Sequence, residues 1–133
     1  MIVKDIMVRK LVTVDCNESV TYACNKYRDY KVGCLIVTDK NHIVGMVTER
    51  DFIERTICNE KDPKTTKVKE IMSSDVITID PYDEIDTAIE KLKEYKIKKL
   101  PVVDGDELVG IVTITDIAHT RPTISKFLKV KKI

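Results

Sequence analysis

The sequence predicts an α/β (α+β) fold made of two pseudo-twofold-related β-α-β-β-α repeats, packed sheet to sheet into one compact module. Three observations predict it. Valine and isoleucine total 33 residues against 6 leucines in a chain of 133 that is 43% hydrophobic, and β-branched side chains favour strands. Sliding the chain against itself by 65 positions aligns residues 3–53 with 68–118 without a gap, and 18 of those 51 pairs are identical. The apolar spacing inside each copy alternates between helical and extended periods. One copy is about 55 residues, too small to be comfortably stable alone, so two copies sharing a core explain the duplication.

The elements follow in order. A short segment ending in Ile6-Met7 or Ile71-Met72 leads to a strand at 12–14 or 77–79. A helix follows, with Val20, Ala23, Cys24 and Tyr27 at i, i+3, i+4 and i+7, matched by Ile85, Ala88, Ile89 and Leu92. Asp83 is placed to cap the second of these helices, with Asp86 in its first turn. Apolar runs at 34–37 and 100–103, polar turns at Asp39-Lys40-Asn41 and Asp104-Gly105-Asp106, and runs at 43–47 and 108–112 make two hairpins. A second helix starts at Thr48 or Thr113; the first copy runs through Phe52, Ile53 and Ile57, and Pro122 cuts the second short. The expected boundaries are repeat 1 at 1–58, a polar connector at 59–67, repeat 2 at 68–121 and a basic tail at 122–133.

Composition narrows the function classes. Lys+Arg 23 against Asp+Glu 22 leaves a net charge of +1, so overall charge makes no case for nucleic acid or an anionic membrane. No uncharged apolar run approaches the length of a membrane span, and no apolar leader opens the chain. Cys16, Cys24, Cys34 and Cys58 show no C-x-x-C spacing, and with only His42 and His119 beside them no metal site is expected. Reduced thiols point to a cytoplasmic protein. The absence of Gln and Trp beside abundant Lys and Glu leans towards a thermophile.

The segment Gly45-Met-Val-Thr48-Glu-Arg50-Asp51 recurs as Gly110-Ile-Val-Thr113-Ile-Thr115-Asp116. Thr-x-x-Asp at a strand-to-helix junction is close to a capping box, and helix capping alone would account for it. The same geometry also suits a nucleotide. A helix start favours phosphate. Thr48, Thr113 and Thr115 add hydroxyls and Arg50 a charged fork. A carboxylate there can accept two hydrogen bonds from a ribose diol. The glycine is expected to let a base or sugar approach the strand backbone.

Two copies of Ile-Met…Thr-Val/Ile…Val-Val-Asp…Val-Gly-Ile/Met-Val-Thr-x-x-Asp over residues 3 to 118 resemble a tandem pair of cystathionine-β-synthase (CBS) domains, as in stand-alone proteins of that family. The resemblance implies a regulatory, energy-sensing module, not an enzyme. It would need no cofactor. Its ligands would be adenosine-containing (AMP, ADP or ATP, less readily S-adenosylmethionine or NAD), bound in clefts between the repeats, and its state would be read by a partner protein. It further implies a homodimer. Carried over to this chain, Asp51 and Asp116 hold ribose, and Thr48, Thr113 and Thr115 face phosphate. The base lies against Met46 and Ile111, and against backbone at Gly33-Cys34 and Ile97-Lys98-Lys99. Lys99 takes the place of a phosphate-binding basic residue; its counterpart is Cys34. The resemblance implies one site combining Asp116 with Lys99, Thr113, Thr115, Gly33 and Cys34. The other would combine Asp51 with Thr48, Arg50 and the 97–99 backbone. The first repeat departs from the pattern with Cys16 and Ile36 where the second has Pro81 and Pro101.

A different class stays open: a protein-interaction or nucleic-acid-binding scaffold that uses the basic tail, with Arg121, Lys126, Lys129, Lys131 and Lys132.

Overall fold

The computed structural model of the chain describes residues 1–120; residues 121–133, which include the basic tail, lie outside the described residues. The elements run α1 (Val3–Ile6), β1 (Thr13–Asp15), α2 (Val20–Tyr30), β2 (Cys34–Asp39), β3 (His42–Thr48) and α3 (Glu49–Asp51), which continues as a π-helix over Phe52–Ile57. A 3-10 turn (Val68–Glu70), α4 (Ile85–Glu94), β4 (Lys99–Asp104), β5 (Glu107–Thr113) and α5 (Ile114–Thr120) follow. The fold class is mixed α/β, as expected. The chain divides into two compact units: Leu11–Val76, and Met1–Lys10 with the described residues from Ile77 on. The segment that opens each repeat therefore belongs to the unit that holds the other repeat's helices and hairpin.

In the 11–76 unit the sheet order is β1-β2-β3, with β1 parallel to β2 and β2 antiparallel to β3. Leu35, Val37 and Val47 turn one face of it onto Val20 and Ala23 of α2, and Val68 and Ile71 close the same core. Cys24 and Tyr27 pack at its edge, so the expected helical stripe is the buried face. Ser19 caps α2, its Oγ accepting from the Tyr22 amide at 3.0 Å.

The other unit repeats this plan. Leu100, Val102 and Val112 meet Ile85, Ala88 and Leu92 of α4, with Val3 and Met7 closing the core. Even side-chain supports recur 65 residues apart. Lys26 donates to the Thr13 carbonyl and Lys91 to the Thr78 carbonyl. Both hairpins shift register at the same place, Val37/Thr38 and Val102/Val103. Their turns differ: Lys40 and Asn41 both sit at positive φ, as a type I′ turn requires, while in the second the positive φ falls on Gly105 alone.

Two expectations are corrected. The strand at 77–79 reduces to one parallel bridge, Ile79 to Val102. In the first repeat the flanking bonds run from the Ile36 amide to the Val12 carbonyl (3.1 Å) and from the Cys16 amide to the Thr38 carbonyl (2.9 Å). Their counterparts Pro101 and Pro81 have no N–H to give, so only the two bonds of Ile79 remain. Asp83 does not cap α4. Its carboxylate accepts from the Asp80 amide at 3.3 Å, and Glu84 is the capping position, without a side-chain bond. The helix after Thr48 runs through Ile57 as expected, and from Phe52 it widens to π register, with the Cys58 amide bonded to the Ile53 carbonyl five residues back.

Candidate functional site

The site residues collect at one place in each unit, where the hairpin's last strand hands over to a helix. A left-handed residue ends each preceding helix: Lys31 at φ 52° and Lys96 at φ 53°. After α4 the Ile97 amide reaches back to the Leu92 carbonyl (3.1 Å), a Schellman closure that turns the chain sharply into β4. That turn sets Val32-Gly33 before β2 and Ile97-Lys98 before β4. The register then pairs Cys34 with Thr48 and Lys99 with Thr113. Directly opposed residues on antiparallel strands lie within about 5.5 Å of each other at Cβ, so Lys99 stands beside the threonine it was expected to join. Lys98 is exposed, and its carbonyl already accepts from the Ile114 amide at 3.0 Å.

The Thr-x-x-Asp segments form the helix starts. Asp116 Oδ2 accepts from the Thr113 amide (3.0 Å) and hydroxyl (2.8 Å), and the Asp116 amide bonds back to Thr113 Oγ1 at 3.2 Å. That is a closed capping box. Asp51 Oδ2 accepts from the Thr48 amide (2.9 Å) and, more loosely, from its hydroxyl (3.3 Å). In both copies the cap uses Oδ2. Capping and ligand binding are therefore compatible, because a carboxylate has a second oxygen to offer.

The two second oxygens differ. Asp51 Oδ1 faces Arg55 Nε at 3.6 Å, and Asp51 is buried, with 8% of its surface exposed. The same guanidinium donates through Nη1 to the Ile71 and Met72 carbonyls, at 3.3 and 2.9 Å. Position 120 matches Arg55 in the second repeat and holds a threonine, whose hydroxyl donates to the Ile117 carbonyl. Among the described residues nothing forms an ion pair with Asp116, which is half-buried. Sequence reasoning missed Arg55; its signal was an Arg at i+4 from Asp51 that the repeat does not copy.

Arg50, expected to offer a fork to phosphate, is 80% exposed in its side chain and bonded through Nε to Glu54 Oε2 at 2.8 Å. That bond holds the guanidinium more firmly protonated than usual. Glu54 takes the Nε donor of the guanidinium's five N–H groups. Thr115 is exposed at the start of α5.

Met46 and Ile111, the expected base-facing residues, are partly exposed in the strands. Each exchanges two backbone bonds with the crossing segment: Met46 with Ser73 (2.9 and 2.9 Å), Ile111 with Val8 (2.8 and 3.0 Å). The glycines before them serve that crossing. A Cβ on Gly45 would lie 2.5 Å from Met72 Sδ and 2.8 Å from the Ser73 carbonyl oxygen. On Gly110 it would lie 2.8 Å from Met7 Sδ and 3.1 Å from the Val8 oxygen. The expectation that these glycines leave room for a base or sugar is corrected: the chain's own segment occupies the space. No cluster of His, Cys, Asp or Glu able to hold an ion occurs among the described residues.

The comparisons with known proteins agree with this architecture. The chain matches the family described as "CBS domain" twice, at residues 3–57 and 68–122. It is 33% identical over 116 residues to the CBS domain-containing protein YhcV of Bacillus subtilis, covering 87% of this chain and 82% of that one. A putative signal-transduction protein with CBS domains from Burkholderia ambifaria superposes with a TM-score of 0.76 at 32% identity, covering 86% of this chain and 85% of that one. The CBS domain pair of protein MJ0100, solved in complex with 5-methylthioadenosine and S-adenosyl-L-methionine, superposes with a TM-score of 0.80 at 30% identity, covering 92% and 97%.

Proposed function

The chain belongs to the CBS-domain family, and from that premise we propose that it is a regulatory module that binds an adenosine-containing nucleotide and passes its state to a partner protein. Its role is sensing, not catalysis. AMP, ADP and ATP are the leading ligands. The observation that carries the reading is the duplicated carboxylate: Asp51 and Asp116 each spend Oδ2 on capping the helix start and keep Oδ1 on the other side of the carboxyl group. An oxygen so placed is an acceptor for a ribose hydroxyl. Lys99, opposite Thr113, adds a cation for phosphate. The solved complex of the MJ0100 pair with two adenosine compounds supports the ligand class.

The ligand would act by favouring one arrangement of the protein, and its effect is limited by its difference in affinity between arrangements. Self-association belongs to the same reading, with Ile53 and Ile57 exposed four residues apart as apolar surface for a second copy. Calorimetric titration with AMP and ATP tests the site. The double variant Asp51→Ala/Asp116→Ala is expected to lose binding at least tenfold. Undiminished binding by that variant would overturn the assignment.

A further inference from the structure

Among the described residues, Arg55 is the one charged side chain paired with either helix-start carboxylate, and position 120, its counterpart in the other repeat, holds a threonine. It holds three acceptors at once: Asp51 Oδ1 and the Ile71 and Met72 carbonyls. The last two end the Val68–Glu70 turn, where carbonyls lack partners within the helix. Arg55 is therefore anchored by the backbone and leans on Asp51 from a fixed base. Its side chain is 49% exposed, so water or a ligand can reach it.

We propose that Arg55 is an internal competitor for Asp51, so that the two carboxylates are unequal and the nucleotide fills the Asp116 site first. The inference rests on the function proposed above and adds its regulation. A ribose diol donates hydrogen bonds, and so does a guanidinium. Both need the same oxygen, since Oδ2 is committed to Thr48. A ligand at Asp51 must displace Arg55 or share the oxygen with it. At Asp116 the corresponding residue is Thr120, whose hydroxyl is spent on the Ile117 carbonyl. The first site would report scarce ligand and the second abundant ligand, which widens the range over which one chain responds.

The test is calorimetric titration with AMP of the parent, Asp116→Ala, Arg55→Thr, Arg55→Lys, and Arg55→Thr combined with Asp51→Ala. Arg55→Thr copies the second repeat, and Arg55→Lys keeps the charge if the threonine variant folds poorly. In the parent, Asp116→Ala should remove the tighter event. Arg55→Thr should tighten the weaker event by roughly threefold to fivefold, the scale of a half-exposed ion pair, and Arg55→Lys by less. Adding Asp51→Ala should abolish the gain. A weaker event left unchanged by Arg55→Thr overturns the inference while the proposed function stands. So does a gain that survives Asp51→Ala. Weaker binding in Arg55→Thr would make the guanidinium a ligand contact and overturn it as well. Absence of AMP binding in the parent and every variant would overturn the proposed function, and the inference with it.

Discussion

Thr48-to-Asp51 and Thr113-to-Asp116 are the same junction made twice, and they are finished by different hands. Both junctions form a capping box, and at Asp116 the threonine hydroxyl bond is 2.8 Å and the second oxygen meets no cation among the described residues. At Asp51 the hydroxyl bond loosens to 3.3 Å and an arginine reaches the second oxygen. The backbone frame, the register and the lysine braces are conserved between the copies, whereas the charges around the carboxylate are not. The lesson is that the repeat preserves the capped carboxylate at the helix start and varies the charged groups around it.

The largest effect that sharpens the comparison is packing common to both units. Leu35→Ala and Leu100→Ala each empty a fully buried site and should cost about 2–5 kcal/mol, nearly equally, by chemical denaturation. A cost confined to one of them would show that the cores are not equivalent. The glycines come next. Gly45→Ala drives a Cβ against a backbone oxygen at 2.8 Å, Gly110→Ala against one at 3.1 Å. Both should destabilise by about 1–3 kcal/mol, Gly45→Ala more, with the order read from melting midpoints.

A third test addresses the ladders. Ile36→Pro removes the amide bonded to Val12 and should cost about 1–3 kcal/mol. It should also erase hydrogen-exchange protection around β1. Retained protection would mean that the missing donors do not explain why the strand at 77–79 shrinks to a bridge.

The smallest effect is a pH dependence. Burial raises the Cys24 thiol above its ordinary 9.0. Burial first, then Glu49 and Cys34, raises Tyr27 above its ordinary 10.0. A group whose folded pKa is raised contributes stability that is complete below its unfolded value and is lost as pH climbs through the folded one. The counterparts are Ile89 and Leu92, which do not titrate. Alkaline loosening should therefore begin in the 11–76 unit from about pH 9 upward, visible as earlier hydrogen exchange there. Cys24→Ala should remove its first part. Simultaneous loosening of both units would contradict this.

Much of the architecture was legible because the 65-residue offset doubles every signal: a stripe such as Val20-Ala23-Cys24 is convincing when Ile85-Ala88-Ile89 repeats it. Pro81 and Pro101 were visible too, and their missing donors account for the lost strand. What did not read from sequence depended on which group a polar side chain meets. Asp83 stands just before α4, yet its carboxylate accepts from the Asp80 amide instead. Arg50 had phosphate chemistry and a glutamate at i+4, and the glutamate holds it. Gly45 and Gly110 signalled a close approach, but only coordinates identify Met72 and Met7 as what approaches.

The most direct measurement is an amide NMR titration with AMP, followed by its 2′,3′-dideoxy analogue. If Asp116 and Asp51 hold a ribose diol, the amides of Thr113 and Asp116 should shift at low AMP, those of Thr48 and Asp51 should follow at higher AMP, and the dideoxy analogue should move neither set at the same concentrations. Equal response to both compounds, or shifts that leave all four amides untouched, would contradict the assignment of these carboxylates to the sugar.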